Sequence, residues 1–183
     1  PHFLMNTLNN IHAMIDLDSE VAKQNVMELS HMLRHILYDS SEQYTTLDKE
    51  VEFLDNYIKL MKIRYIDEVS IELNAPDMAI CRRVKLPPLL LIVLVENAFK
   101  HGISYSHKSF IRISISVDHG ELSCVVANSR HNNDNSKTER SGIGLNNITK
   151  RLEILFGEHY SLTTDTTDSK VYIVELVIPL TDK

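Results

Sequence analysis

The chain has 183 residues, a length that suits one medium domain or one domain with a helical appendage. Apolar residues make up 43% and charged residues 24%, which excludes disordered and fibrous classes. The net charge of −6 argues against a general nucleic-acid binder, whose affinity comes mostly from neutralising phosphates.

From Phe3 to about Tyr65 the pattern is helical and glycine-free. Leu4, Leu8, Ile11 and Ile15 recur at helical spacing, and Val26, Leu29, Leu33, Ile36 and Leu37 continue it. The polar stretch DSSEQYTT, residues 39–46, interrupts the pattern. A further helix starts near Thr46, a residue suited to an N-cap, with Asp48 and Glu50 in its first turn. Its apolar stripe is Leu47, Val51, Leu54, Ile58 and Met61. The simplest arrangement is a helical hairpin with its arms on either side of DSSEQYTT. Two such arms bury little alone, so pairing into a four-helix bundle is expected.

Beyond residue 67 the character changes. VSIELN (69–74) alternates like a half-buried strand. Residues 86–100 read as a buried helix with Pro87 and Pro88 in its first turn. The apolar run LPPLLLIVLV within it is well short of the ~20 residues that a membrane span needs. FIRISISV (110–117) and ELSCVVA (121–127) are strands joined by the hairpin turn Asp118-His119-Gly120. Residues 128–141 contain no apolar side chain and read as a mobile loop. GIGLNNITKRLEILFG enters a helix at 142–145 and leaves it at Gly157. YSLTTDT and KVYIVELVIP close the chain as another antiparallel hairpin. The expected class is α+β, with helices on one face of a mixed, largely antiparallel sheet. Cys81 and Cys124 form no CxxC pair and read as free thiols. The chain opens on Pro-His, so the expectation is a fragment whose membrane and sensor parts lie upstream.

Two stretches concentrate chemistry. In LVENAFKHG (94–102), Asn97 pairs with Lys100 at i, i+3 and with His101 at i, i+4, so these residues share one helical face. An amide oxygen suits Mg²⁺ and the neighbouring cations suit phosphates. A solvated end to an amphipathic helix explains the same spacing. In SGIGLNN (141–147), glycines 142 and 144 stand between a polar loop and a helix, where backbone N–H groups favour anions. A plain loop-to-helix joint is the competing explanation. No GKS or GKT follows, and no strand precedes, which excludes a Walker loop and a Rossmann fingerprint.

In order along the chain, PHFLMN, LIVLVENAFKHG and GIGLNNITKRL resemble the histidine, N-box and glycine-box stretches of LytS-type sensor histidine kinases. LDKEVEFLDNYIKLMKIRY extends the likeness, which spans essentially the whole chain. The resemblance implies a helical dimerisation and phospho-acceptor segment over residues 1–66. It implies a Bergerat-type ATP-binding α/β sandwich over 67–183. His2 matches the phosphorylated histidine. Asn97 matches the Mg²⁺ ligand, with Lys100 and His101 near the phosphates. Gly142, Gly144 and Leu145 match the segment that wraps the triphosphate. Glu96 stands at the family's acidic position, as a metal-water partner or a base. Related folds place Asp-x-Gly where this chain has Ala127-Asn128-Ser129-Arg130. Asn128 can still accept from the adenine amine through its amide oxygen.

Asn6 lies one helical turn from His2 and is the expected orienting residue for dephosphorylation of a partner. ATP-hydrolysing relatives of the fold carry a water-activating glutamate four residues before the Mg²⁺ asparagine; here that position is Val93. The implied partners are a response regulator, often of the LytTR type, and a second copy of the chain, with ATP and Mg²⁺ as cofactors and no direct contact with nucleic acid. The implied location is the cytoplasmic side of a membrane protein. The alternatives are a catalytically silent nucleotide-binding scaffold and an ATPase of the same superfamily.

Overall fold

The computed structural model describes residues 2–37, 43–64, 69–104, 106–131 and 142–180. Among the described residues, six helices and seven strands follow one another. Helices α1 (His2–Ile15) and α2 (Ser19–Leu37) come first, then strand β1 (Thr45–Thr46) and helix α3 (Leu47–Arg64). Strand β2 (Val69–Asn74), the one-turn helix α4 (Met78–Cys81), strand β3 (Lys85–Leu86) and helix α5 (Ile92–His101) follow. Strands β4 (Ser109–Asp118) and β5 (Glu121–Ser129), helix α6 (Gly142–Phe156), and strands β6 (Ser161–Asp165) and β7 (Val171–Pro179) complete it.

The expected first arm of the helical hairpin is divided. Asp18 Oδ1 accepts the N–H groups of Glu20 and Val21, both at 3.1 Å, and so caps α2 where a continuous helix was expected. Ile11, Ala22 and Leu29 form a small buried cluster between α1 and α2, with Met14 and Leu33 packed against it. Thr46 precedes α3 as expected, and Asp48 and Glu50 stand in its first turn.

The five-stranded sheet has the order β2-β4-β5-β7-β6. Only β2 with β4 is parallel; the other three pairings are antiparallel. One face is dry. Ile111, Ile113 and Ile115 of β4 lie against Leu122, Cys124 and Val126 of β5 and Val174, Leu176 and Ile178 of β7, all buried at alternate positions. The helices cover that face: Leu94, Val95, Ala98 and Phe99 of α5 and Ile148 and Leu152 of α6 belong to the same cluster. So do Leu47, Val51, Leu54, Tyr57 and Ile58 of α3. Helix α3 lies on the N-terminal side of residue 66, yet its apolar face is part of the core built on the sheet.

Two turns follow from local chemistry. His119 (φ 48°) and Gly120 (φ 79°) both adopt left-handed backbone between the paired Asp118 and Glu121, the two-residue turn whose twist suits a hairpin. Gly157 (φ 61°) ends α6, and its N–H donates to Glu153 O at 2.9 Å. The expected helix over 86–100 begins later, at Ile92. Pro87 forces Leu86 towards extended backbone, and Pro88 does the same to Pro87. Leu89 then has φ 55°, which no right-handed helix accommodates. The prolines therefore lie in a turn before α5, and Leu86 joins the ladder β1–β3 instead.

Candidate functional site

A cavity of about 240 Å³ opens at one end of the sheet, lined by Asn97, His101, Asn128, Ser129, Arg130, Thr166 and Tyr172. Three elements build it. Helix α5 supplies Asn97 and His101 at i, i+4, the shared face expected from the spacing. Strand β5 supplies Asn128 and Ser129, and the β6–β7 hairpin supplies Thr166 and Tyr172. The strand reaches Ser129, two residues beyond the expected end at Ala127. Asn128 and Tyr172 are register partners across β5–β7, which explains why residues so distant in sequence share one wall.

Asn128 is the fixed point of this wall. It is 2% exposed, and its Nδ2 donates to Ser129 O at 2.8 Å. Gly102, the residue after α5, packs directly on it. A Cβ on Gly102 would lie 2.6 Å from Asn128 Cβ and 2.6 Å from Ala98 O. The glycine of the KHG stretch is thus needed for close approach of helix to strand. Its own backbone is ordinary, with φ −94°. Burial pushes the phenol of Tyr172, which lines the cavity, above its usual range.

A second, wider cavity of about 970 Å³ shares His101, Ser129 and Arg130 with the first. The stacked rings of His107 and His131, with centroids 5.8 Å apart, line it together with Lys108 and Lys170. Ser109 organises this wall: its hydroxyl donates to His107 O and lies 3.1 Å from His131 Nε2, and it accepts Ser104 N–H. Arg130 N–H donates to Lys170 O at 2.7 Å, which joins the end of β5 to the start of β7.

The structure brings Asn97, His101 and Asn128 together around one cavity. Lys100 and Glu96 sit on the same helix but are exposed and line neither cavity among the described residues. Glu96 is open to water, yet enough protein crowds its carboxyl for desolvation to raise its pKa. A raised carboxyl pKa means that the folded chain holds the proton more tightly than the unfolded one. The stability gained is complete below the unfolded pKa and is lost as pH rises through the folded one. Urea midpoints of Glu96→Gln should therefore climb relative to the parent protein as pH rises through the weakly acidic range; parallel profiles would refute this.

Gly142, Gly144 and Leu145 form the first turn of α6, and His2 and Asn6 lie one turn apart in α1. The side chains of all five are outside the described residues, as is the segment 132–141 of the expected loop. Thr166, Tyr172, Ser129 and Arg130 were not found from sequence. No motif marks them, and only the register of β5 on β7 places them here. Both cysteines are buried and free, and burial, aided by the charge of Glu50, pushes the Cys124 thiol up to about 12. That excludes Cys124 as a nucleophile.

For a divalent cation, the described residues contain no group of three or more His, Cys, Asp or Glu able to hold a metal. Asn97 lines the cavity with a side-chain amide, half-buried. This donor set fits Mg²⁺ held by a single protein oxygen, with phosphates and water completing its shell. No described helix is long and apolar enough to cross a membrane.

The fold is that of histidine kinase catalytic domains. The histidine kinase domain of the blue-light activated histidine kinase of Erythrobacter litoralis superposes with TM-score 0.53 at 16% identity, covering 97% of this chain and 93% of that one. The histidine kinase AdeS of Acinetobacter baumannii gives TM-score 0.52 at 18% identity, covering 99% and 95%. Residues 1–69 match the family model described as Histidine kinase. Across nearly the whole chain the similarity is to LytS proteins. The sensor protein LytS of Oceanobacillus iheyensis is 32% identical over 196 residues, covering 98% of this chain and 32% of that protein. The sensor histidine kinase/phosphatase LytS of Staphylococcus aureus (strain MRSA252) is 33% identical over 183 residues, covering 92% and 31%. In sequence and fold the chain is similar to histidine kinases, and along nearly its whole length to those named LytS. It spans about a third of the length of these relatives.

Proposed function

We propose that the chain is the catalytic core of a sensor histidine kinase, which phosphorylates His2 from ATP and passes the phosphoryl group to an aspartate of a response regulator. The observation that carries this reading is the cavity in which half-buried Asn97 of α5 faces the buried Asn128 of β5. Asn128 Nδ2 donates to Ser129 O, and its Oδ1 would accept from an adenine amine. Asn97 would hold Mg²⁺, which offsets charge on the phosphates. His101 and Lys100, on the same helix, and the Gly142–Gly144 turn of α6 would supply further positive potential.

In the proposed reaction a neutral imidazole nitrogen of His2 attacks the γ-phosphorus. An N–P bond forms, the bond to the β–γ bridging oxygen breaks, and ADP leaves with that oxygen. A neutral imidazole is the major form of an unperturbed histidine at pH 7, so the attack needs alignment more than a base. Asn6, one turn from His2 on α1, would position a water or the partner's aspartate for the reverse task; the kinase/phosphatase name of the Staphylococcus aureus relative supports that role. Exposed Leu8, Ile15, Val26 and Met27 on α1 and α2 support pairing with a second copy. We further propose a LytTR-type regulator as partner and a place on the cytoplasmic side of a membrane sensor.

The test uses γ-labelled ATP with Mg²⁺. The protein should acquire an acid-labile, alkali-stable label that His2→Ala abolishes. Asn6→Ala should keep the label while slowing dephosphorylation of the regulator. Label surviving in His2→Ala would overturn the assignment. Tight nucleotide binding without label would favour a silent scaffold, and free phosphate without labelled protein would favour an ATPase.

A further inference from the structure

Helix α5, which carries Asn97, has no side-chain cap at its start; Leu91 stands there with helical backbone. What fixes its entry is the turn before it. Leu89 is held at φ 55°, a left-handed conformation that strains a branched apolar residue. Such a residue persists only where its surroundings over-determine it, and three contacts do so. The buried Glu50 of α3 accepts Leu89 N–H through Oε1 at 2.7 Å. Arg151 of α6 donates from Nη1 to Leu89 O at 3.1 Å and from Nη2 to Pro88 O at 2.5 Å.

The contacts come from two different working parts of the chain, α3 and α6. Helix α3 follows α1, which carries His2, and α2, and it is fastened a second time to the segment just before that turn: Leu47 N–H donates to Val84 O at 2.9 Å, and β1 pairs with β3. Helix α6 begins with the Gly142–Gly144 turn and is anchored in the core by Ile148 and Leu152, on either side of Arg151. A shift of α6 along its axis must therefore either move the Pro88–Leu89 turn or break two charge-assisted hydrogen bonds. Because Leu90 and Leu91 are fully buried, the turn passes such a shift to α5 instead of absorbing it.

We propose that Glu50 and Arg151 are positioning residues for nucleotide binding: by gripping the strained Pro88–Leu89 turn from two sides, they set the helix of Asn97 against the glycine turn of α6. The grip also gives α3 a direct mechanical link to the nucleotide cavity. This rests on the nucleotide reading of that cavity.

The experiment measures ADP affinity by calorimetry with Mg²⁺ present, together with thermal unfolding and hydrogen exchange. ADP keeps the chemistry of His2 out of the measurement. Arg151→Met, which deletes both donors, should weaken ADP binding about tenfold, lower the unfolding midpoint by only a few degrees and speed amide exchange in 92–101 but not in β4 or β5. Arg151→Lys, which can serve one carbonyl, should fall between. Glu50→Met, which removes the acceptor of Leu89 N–H, should weaken ADP binding several-fold, and Glu50→Gln, which keeps an acceptor, should recover part of that loss; parent-like affinity in Glu50→Met would overturn the share of Glu50 in the grip. Parent-like ADP affinity in both Arg151 variants would overturn the positioning role, whatever their stability. If the parent binds no ADP, the nucleotide reading fails with it, and unchanged exchange in 92–101 would then overturn the grip as well.

Discussion

Gly102→Ala is expected to weaken nucleotide binding by at least an order of magnitude and to destabilise the fold. The added Cβ would sit 2.6 Å from Ala98 O and 2.7 Å from Asn128 Nδ2, distances at which something has to move. None of the atoms it meets is the end of a long flexible chain. Ala98 O is backbone inside α5, and Asn128 is buried and bonded to its own strand. Overpacking of this kind costs about 1–3 kcal/mol. The displacement falls on the two elements that carry Asn97 and Asn128, so affinity should suffer more than stability. Isothermal titration with ADP and urea unfolding together check this. Affinity within twofold of the parent would show that the helix–strand approach at Gly102 does not shape the site.

The second large effect concerns α3. Leu54 is fully buried and belongs to the cluster built on the sheet, alongside Leu94, Leu152 and Leu176. Leu54→Ala removes a branched side chain from a site with neighbours on all sides, and should cost about 2–5 kcal/mol through lost transfer energy and the cavity left behind. The loss should appear as one earlier transition for α3 and the sheet together, seen by calorimetry and circular dichroism. A chain of residues 67–183 alone should then fail to fold, because its apolar face loses Leu47, Val51, Leu54, Tyr57 and Ile58 at once. A stable, cooperatively folded 67–183 would instead support a domain boundary at residue 66.

Glu50 shows how a residue legible at one level is reassigned at the next. In the sequence it is an acidic residue in a helix's first turn, suited to the helix dipole. In the structure it is fully buried and holds Leu89, 39 positions away. Pro87 and Pro88 are similar. Proline tolerated in a first helical turn is a sound expectation, but two in succession force extended backbone, and the helix waits until Ile92.

Features that depend on neighbours a few residues apart were legible in the chain before folding was considered. The alternation in FIRISISV and ELSCVVA, the turn at His119-Gly120, the end of α6 at Gly157 and the common face of Asn97 and His101 all follow from local sterics and period. The α+β class follows from them too, and so did the three ordered stretches that resemble LytS-type kinases. Which distant residues meet is a property of the packed fold. Tyr172 comes opposite Asn128 because β7 pairs with β5 in one register among several that the alternation allows. Arg151 finds Pro88 because α5 and α6 pack on the same dry face of the sheet. Such meetings depend on long-range pairing and on how whole faces bury apolar area, and neither leaves a mark in the spacing of a single segment.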